Sequence, residues 1–207
     1  MNDGRFSPYR GAQQHRLFRK LGTVDVRPLN AQMAEQSYLW DAIPRRRIAD
    51  GSPHGGMKDI WVRYNDHRPF AIRKDWTGFN DEHVPVWYPA WHALPALRPI
   101  VFGLMAATEA EMLCGVLLTR IPPGHGIDRH TDDSWHVHFT DKLYVCVASE
   151  PGAIFGAEDA NGTEELSPLP GEVHLFDNRA PHWVRNASNA DRITLIVCVR
   201  TEMFGRE

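Results

Sequence analysis

The second half of the chain alternates short apolar runs with turn-forming residues. From Cys114 onward, runs rich in Val, Ile, Leu and aromatic residues are separated by stretches such as PPGHG, SPLPG and NASNAD. Short runs of this kind, punctuated by Gly, Pro, Asn and Asp, are typical of antiparallel sandwiches and barrels. The pattern predicts strands in six segments: CGVLLTRI, KLYVCVAS, AIFGA, EVHLFD, HWVRNA and RITLIVCVR.

The first half has a mixed pattern. Residues 30–41 favour a short helix before Pro44, residues 60–64 favour a strand, and residues 100–113 favour a helix. The consecutive Arg45, Arg46 and Arg47 are interpreted as a solvated charged turn. We therefore expect a mainly β protein with flanking helices. Residues 1–113 would form a helical or mixed region that packs on a β core at 114–207, in one compact domain.

Composition narrows the classes of protein. The 207 residues carry 23 Lys and Arg against 26 Asp and Glu, a net charge of −3. This balance disfavours a general nucleic-acid-binding protein or a basic protein of membrane surfaces. No apolar run approaches the roughly 20 residues that span a bilayer, and the first residues lack an apolar signal segment. The three cysteines form no CxxC pair and lie in apolar runs, so we expect reduced thiols and a cytoplasmic protein.

A candidate metal site stands out among the histidines. His130 and Asp132 are two residues apart, so in an extended chain both side chains can reach one ion. His182 follows 50 residues after Asp132 and supplies a third ligand. Two histidines and one carboxylate on one face leave the other positions of an octahedral ion free, as in non-haem Fe(II) oxygenases.

A second requirement of that chemistry is a cation for the co-substrate. 2-Oxoglutarate chelates iron through its 2-oxo acid end, and its distal carboxylate needs a partner. Arg192 lies ten residues after His182, across the turn-like NASNAD. A hairpin there would place the Arg192 strand beside the His182 strand, with the guanidinium pointing into the same cavity as a bidentate partner of the carboxylate.

The order of these residues resembles the aspartyl/asparaginyl β-hydroxylase-like branch of the Fe(II)/2-oxoglutarate dioxygenases. That branch has a Pro-Gly loop before HxD, then Phe-Asp, a distal His, an Asn, a Ser and an Arg. The resemblance covers roughly residues 117–199. It implies a double-stranded β-helix (jelly roll, cupin-like), Fe(II) at His130, Asp132 and His182, and 2-oxoglutarate held by Arg192. The corresponding residues here are Pro123-Gly124, His130, Asp132, Phe176-Asp177, His182, Asn186, Ser188 and Arg192.

One motif of the branch is replaced in this chain. Members commonly carry Arg-x-His on the strand after HxD, where it contributes to 2-oxoglutarate binding. Here the region offers His136-Val137-His138, which alternates like the polar face of a strand, and then Lys142-Leu143-Tyr144. KLYVCVAS has the stronger strand character, so Lys142 and Tyr144 are the preferred equivalents. Both can donate hydrogen bonds to a carboxylate.

The resemblance implies a hydroxylase that uses O₂ and 2-oxoglutarate to hydroxylate an unactivated C–H bond of an amino acid, free or within a peptide. Arg63, Arg129 and Arg179 are candidates for anchoring an acidic or carboxylate-bearing substrate, against the ordinary alternative of solvent-facing ion pairs. Two other functions stay open. A metal-binding jelly roll without catalysis would act as a sensor or scaffold, and a zinc hydrolase would use the same three ligands but give Arg192 no role.

Overall fold

The computed structural model of the chain describes residues 6–81 and 83–201, apart from the side chains of Trp135 and His136. Within these residues the strands form two sheets, and every pairing between strands is antiparallel. In spatial order the larger sheet contains β1 (Ser7–Pro8), β2 (Phe18–Thr23), β10 (Glu172–Phe176), β7 (Asp141–Ala148), β12 (Arg192–Arg200), β5 (Met112–Ile121), β3 (Lys58–Asn65) and β4 (Pro85–Trp87). The smaller sheet contains β6 (Gly126–His130), β11 (His182–Asn186), β8 (Ala153–Asp159) and β9 (Gly162–Leu166).

Short helices connect these strands in the described part of the chain. None of them is both long enough and apolar enough to cross a lipid bilayer. They are α1 (Arg27–Glu35), α2 (Arg45–Ile48), α3 (Arg68–Arg73), α4 (Ala90–Ala93), α5 (Leu97–Ala107) and α6 (Trp135–Phe139).

The larger sheet is the middle layer. One face packs against apolar side chains of α1, α4 and α5, among them Leu29, Leu97 and Leu104, which are fully buried. The opposite face turns toward the smaller sheet, where Phe18, Phe155 and other residues form a second apolar cluster. The central strands β5, β7 and β12 are covered on both faces, by helices on one side and by the second sheet on the other. This explains why their sequences are nearly continuous apolar runs.

Period-two alternation decides which side chains face the second sheet. On β12, Leu195, Val197 and Val199 belong to the helix-covered core, whereas the residues between them point to the other side. That side holds a cavity, and the β12 residues that line it are Arg192, Thr194, Ile196 and Cys198. β7 and β5 follow the same rule, so all three neighbouring strands turn one face to the helix-covered core and the other to the cavity.

All six predicted strands of the second half are confirmed, as are the mainly β fold and the strand at residues 60–64. The N-terminal part is less helical than expected, because β2, β3 and β4 are members of the larger sheet itself. The helix predicted at 100–113 begins at Leu97, since Pro99 is tolerated in a first turn, and it ends at Ala107. Glu109 then takes a left-handed φ of 53° before β5 begins. The division of the chain at residue 113 stays a prediction.

Two local predictions were wrong. The segment at residues 135–139, expected as a strand with His138 on its polar face, is α6; the side chain of His136 lies outside the described residues. NASNAD does not close a hairpin, because β11 belongs to the smaller sheet and β12 to the larger one. The Asn186 amide holds this corner by donating to the carbonyls of Ile121 and Ala190, both at 2.8 Å.

Candidate metal centre and its cavity

Three predicted ligands meet at the end of the smaller sheet. His130 ends β6 and pairs in register with His182 at the start of β11, while Asp132 follows two residues after β6. One ligand atom from each of the three side chains lies within 4.8 Å of the other two. Strand pairing therefore brings together residues that are 52 positions apart in sequence.

Backbone carbonyls orient both histidines. Nδ1 of His130 lies 2.7 Å from the carbonyl oxygen of Asp128, and Nδ1 of His182 lies 2.9 Å from that of Ala180. A carbonyl oxygen only accepts hydrogen bonds, so we assign the proton to Nδ1 and the free lone pair to Nε2. Burial lowers the pKa of His182 to about 4, although Asp132 opposes the shift, so the ring is neutral and able to bind a metal at neutral pH.

Asp132 is held by two donors on one of its oxygens. Oδ2 accepts from Lys142 Nζ at 2.7 Å and from Asn178 Nδ2 at 2.7 Å, while Oδ1 lies 3.6 Å from Nε2 of His130. Burial acts to raise the pKa of this carboxyl, but the charge and hydrogen bond of Lys142 outweigh it and hold the pKa well below the ordinary value. The carboxylate is therefore ionised, with one oxygen anchored and the other directed at the histidines.

This donor set suits Fe(II). Two neutral imidazole nitrogens and one carboxylate oxygen are the facial set of non-haem iron sites, which leaves coordination positions for other ligands. Orienting partners outside the ligands, here two carbonyls, a lysine and an asparagine, are the usual support of such sites. The triad is compatible with Fe(II) in both its ligand types and its tautomers.

The triad lines a cavity of about 320 Å³, and Arg192 lines the same cavity. The side chain of Arg192 is buried, and its Nε has no hydrogen-bond partner among the described residues. None of the carboxylates that the structure describes forms an ion pair with it; the guanidinium carbon lies 5.8 Å from the ring centre of Phe155. Burial lowers the pKa of Arg192. A buried cation without a counter-ion is unfavourable, so this position fits an anion.

Lys142 and Tyr144 also line the cavity, on the face of β7 predicted for them. Lys142 is engaged with Asp132, and the Tyr144 hydroxyl accepts a hydrogen bond from Asn178 at 2.9 Å. Burial and the nearby Asp132 raise the pKa of Tyr144, so the phenol keeps its proton. In this structure both side chains support the metal ligand; a contact with 2-oxoglutarate stays a prediction.

The three arginines proposed for substrate do not line this cavity. Arg63 Nε donates to the carbonyl of Leu113, Arg129 pairs with Glu158, and Arg179 pairs with Asp177, two residues before it. Each guanidinium is engaged by a neighbour on the same part of the surface. The ordinary alternative of an ion pair describes Arg129 and Arg179, and a contact of any of the three with substrate stays a prediction.

Sequence reasoning missed a second wall of the cavity. Arg46, read as part of a solvated turn, donates to the buried Asp59 at 3.2 Å and lies 3.4 Å from His54 Nε2. The His54 ring meets the His130 ring edge-on, with centroids 5.1 Å apart. Burial, reinforced by Arg46, lowers the pKa of His54 to about 2. The one signal in the sequence is Asp59, a carboxylate within the strand KDIWVRYN, which would need a cationic partner if the strand is buried.

Residues 89–202, more than half of the chain, match the sequence profile of the aspartyl/asparaginyl β-hydroxylase family. No curated protein matches the chain.

Solved structures with a similar fold are distant in sequence. A prolyl hydroxylase from Trichoplax adhaerens, solved with a peptide fragment of the hypoxia inducible factor oxygen degradation domain, is 14% identical with a TM-score of 0.56, over 88% of this chain and 82% of that one. A 2OG-Fe(II) oxygenase family oxidoreductase from Burkholderia pseudomallei is 13% identical, with a TM-score of 0.54 over 81% and 77%. A Pseudomonas putida prolyl-4-hydroxylase is 16% identical, with a TM-score of 0.50 over 88% and 91%. At these identities the likeness shows the fold.

Proposed function

Because the chain belongs to the aspartyl/asparaginyl β-hydroxylase family of 2-oxoglutarate-dependent oxygenases, we propose that it hydroxylates an unactivated C–H bond of an amino acid, free or within a peptide. His130, Asp132 and His182 would bind Fe(II), and Arg192 would bind the distal carboxylate of 2-oxoglutarate. The observation that carries the proposal is one cavity that holds both the triad and a buried arginine with no counter-ion among the described residues.

The chain's own residues have defined tasks in this reaction. Lys142 and Asn178 hold one oxygen of Asp132, which leaves the other for the metal. Apolar side chains on the facing strands, such as Leu117, Ile127 and Ile196, line the cavity and limit the water around the reacting groups. Bound Fe(II) supplies the activation of O₂, coupled to oxidative decarboxylation of 2-oxoglutarate to succinate and CO₂.

Two observations support a small or peptide-borne substrate. The cavity volume of about 320 Å³ lies at the low end of the roughly 300–1,000 Å³ found for small-molecule pockets, enough for 2-oxoglutarate and one side chain. The Trichoplax adhaerens structure contains a peptide, which makes a peptide a reasonable member of any substrate panel.

The direct test is release of succinate from 2-oxoglutarate with Fe(II) and O₂, measured across free amino acids and peptides. We expect a substrate to stimulate release, and Asp132→Ala to abolish it. Asp133→Ala is the matched control, since this neighbouring carboxylate is exposed and outside the triad. Metal binding without succinate release would instead favour a non-catalytic sensor or scaffold.

A further inference from the structure

The three consecutive arginines of α2 have three different environments. Arg46 forms an ion pair with the buried Asp59 at 3.2 Å, and Arg47 forms one with Asp41 at 2.7 Å. The guanidinium of Arg45 forms no hydrogen bond or ion pair with any residue that the structure describes; its carbon lies 4.6 Å from the ring centre of Trp76. Arg46 thus holds this short helix to β3, Arg47 forms a more exposed pair, and the guanidinium of Arg45 remains available.

Arg45 is half-buried and lines the cavity of the metal triad, as does Trp76. Stacking on an indole ring holds the guanidinium plane without using its N–H donors. The donors therefore stay free for a planar acceptor, and a carboxylate matches their spacing best.

The charges that line the cavity also favour an anionic ligand. Its lining includes Arg45, Arg46, Lys142 and Arg192 but one carboxylate, Asp132, among the described residues. Lys142 is neutralised by Asp132, and Arg46 by Asp59. With Arg192 assigned to 2-oxoglutarate, Arg45 is the cation of this lining that has no anion among the residues the structure describes.

We propose that Arg45 binds a carboxylate of the substrate and makes the enzyme select substrates that are anionic at that point. The proposal rests on the proposed function and adds to it the class of substrate. Either an α-carboxylate or a side-chain carboxylate offers the required chemistry. Arg45 would act by binding and orienting the substrate rather than by taking part in the chemistry at the metal.

The test compares matched carboxylate and carboxamide compounds in the succinate-release assay. One arm uses free L-amino acids against their amides, which differ in the α-carboxylate. The other uses N-acetylated, C-amidated aspartate against asparagine, and glutamate against glutamine, which differ in the side chain. We expect the wild type to have a KM about ten-fold lower for the carboxylate in at least one arm. Arg45→Gln should remove this difference by raising the KM for the carboxylate, and Arg45→Lys should restore part of it.

Arg47→Gln is the matched control, because this arginine is on the same helix but pairs outside the cavity. It should leave the carboxylate preference unchanged. The proposal is overturned if the wild type treats both members of every pair alike, if no carboxylate in the panel raises succinate release, or if Arg45→Gln keeps the preference. The proposed function is judged separately, by the visible absorption band of the Fe(II) and 2-oxoglutarate complex, which needs no substrate.

Discussion

Two walls of the same cavity are built from different kinds of structure. The strand wall consists of the cavity-facing residues of β5, β7 and β12, including Lys142 and Arg192, whose directions follow from the pleat of the larger sheet. The helix-and-loop wall consists of the cavity-lining residues within segments 45–54 and 76–80, including Arg46, His54 and Trp76. It is anchored by an ion pair to β3 and by ring contacts rather than by a hydrogen-bonded ladder.

The difference separates two tasks. Side chains on paired strands are held in fixed relative positions, which suits metal and co-substrate binding, where small displacements are costly. Side chains on a four-residue helix and loops can vary between related proteins without disturbing the sheet, which suits recognition of a particular substrate. Substitutions in the strand wall should therefore affect every substrate, and those in the helix-and-loop wall should affect some more than others.

The largest effect is expected at the metal ligands. His182→Ala or Asp132→Ala should lower Fe(II) affinity by more than about a hundred-fold, because even partners of ligands account for roughly 10–100-fold. Metal titration should show the loss, and circular dichroism should show a retained β fold. Unchanged metal binding in either variant would show that the replaced residue is not a metal ligand.

The helix-and-loop wall should depend strongly on one ion pair. Arg46→Gln leaves Asp59, which is 4% exposed, without its cation, and should lower the free energy of unfolding by about 3 kcal/mol. Arg47→Gln removes a more exposed pair and should cost less than about 1 kcal/mol. Urea denaturation of both variants measures the contrast; equal losses would show that the wall is not anchored at Arg46.

In the strand wall, Arg192 should contribute to the binding of 2-oxoglutarate and not to the stability of the metal-free protein. Arg192→Leu should weaken 2-oxoglutarate binding by about thirty-fold, the value of a charge-assisted contact. It should not destabilise the metal-free protein, because the substitution removes a buried cation that has no counter-ion within the described part of the chain. Calorimetric binding and urea denaturation give the two quantities. A large loss of stability with unchanged binding would mean that Arg192 serves the fold alone.

A buried histidine outside the cavity should show an effect that comes from burial alone. His174 is buried on β10, and burial lowers its pKa to about 4, although Glu172 opposes the shift. The unfolded chain then binds more protons between pH 6.5 and 4, so this histidine lowers stability as the pH falls through that range. The slope is up to about 1.4 kcal/mol per pH unit. Denaturation of metal-free His174→Gln should show a shallower pH dependence than the wild type; identical slopes would contradict the burial argument.

The strand wall was predictable from the sequence because period two acts locally. Alternation in RITLIVCVR and KLYVCVAS predicts which side chains share a face, and HxD with a distal His predicts the ligands. The proposed hairpin of β11 and β12 failed, since a short turn can also join strands of two different sheets. Arg192 still reaches the cavity, but from the opposite sheet.

The helix-and-loop wall was not predictable in this way. The direction of Arg46 depends on Asp59, which lies on another element. Nothing in the run of arginines distinguishes the one that pairs with a buried carboxylate from its neighbours. Arg63, Arg129 and Arg179 do not line the cavity, for the complementary reason. Each has a nearby partner that periodicity does not reveal.

Anaerobic titration with Fe(II) and 2-oxoglutarate tests the central claim most directly, because it requires the triad and Arg192 to act in one cavity. The wild type should develop the weak visible charge-transfer band of a chelated 2-oxo acid. In Arg192→Leu the same band should appear only at about thirty-fold higher 2-oxoglutarate. Iron binding with no band at any concentration of 2-oxoglutarate would contradict the account.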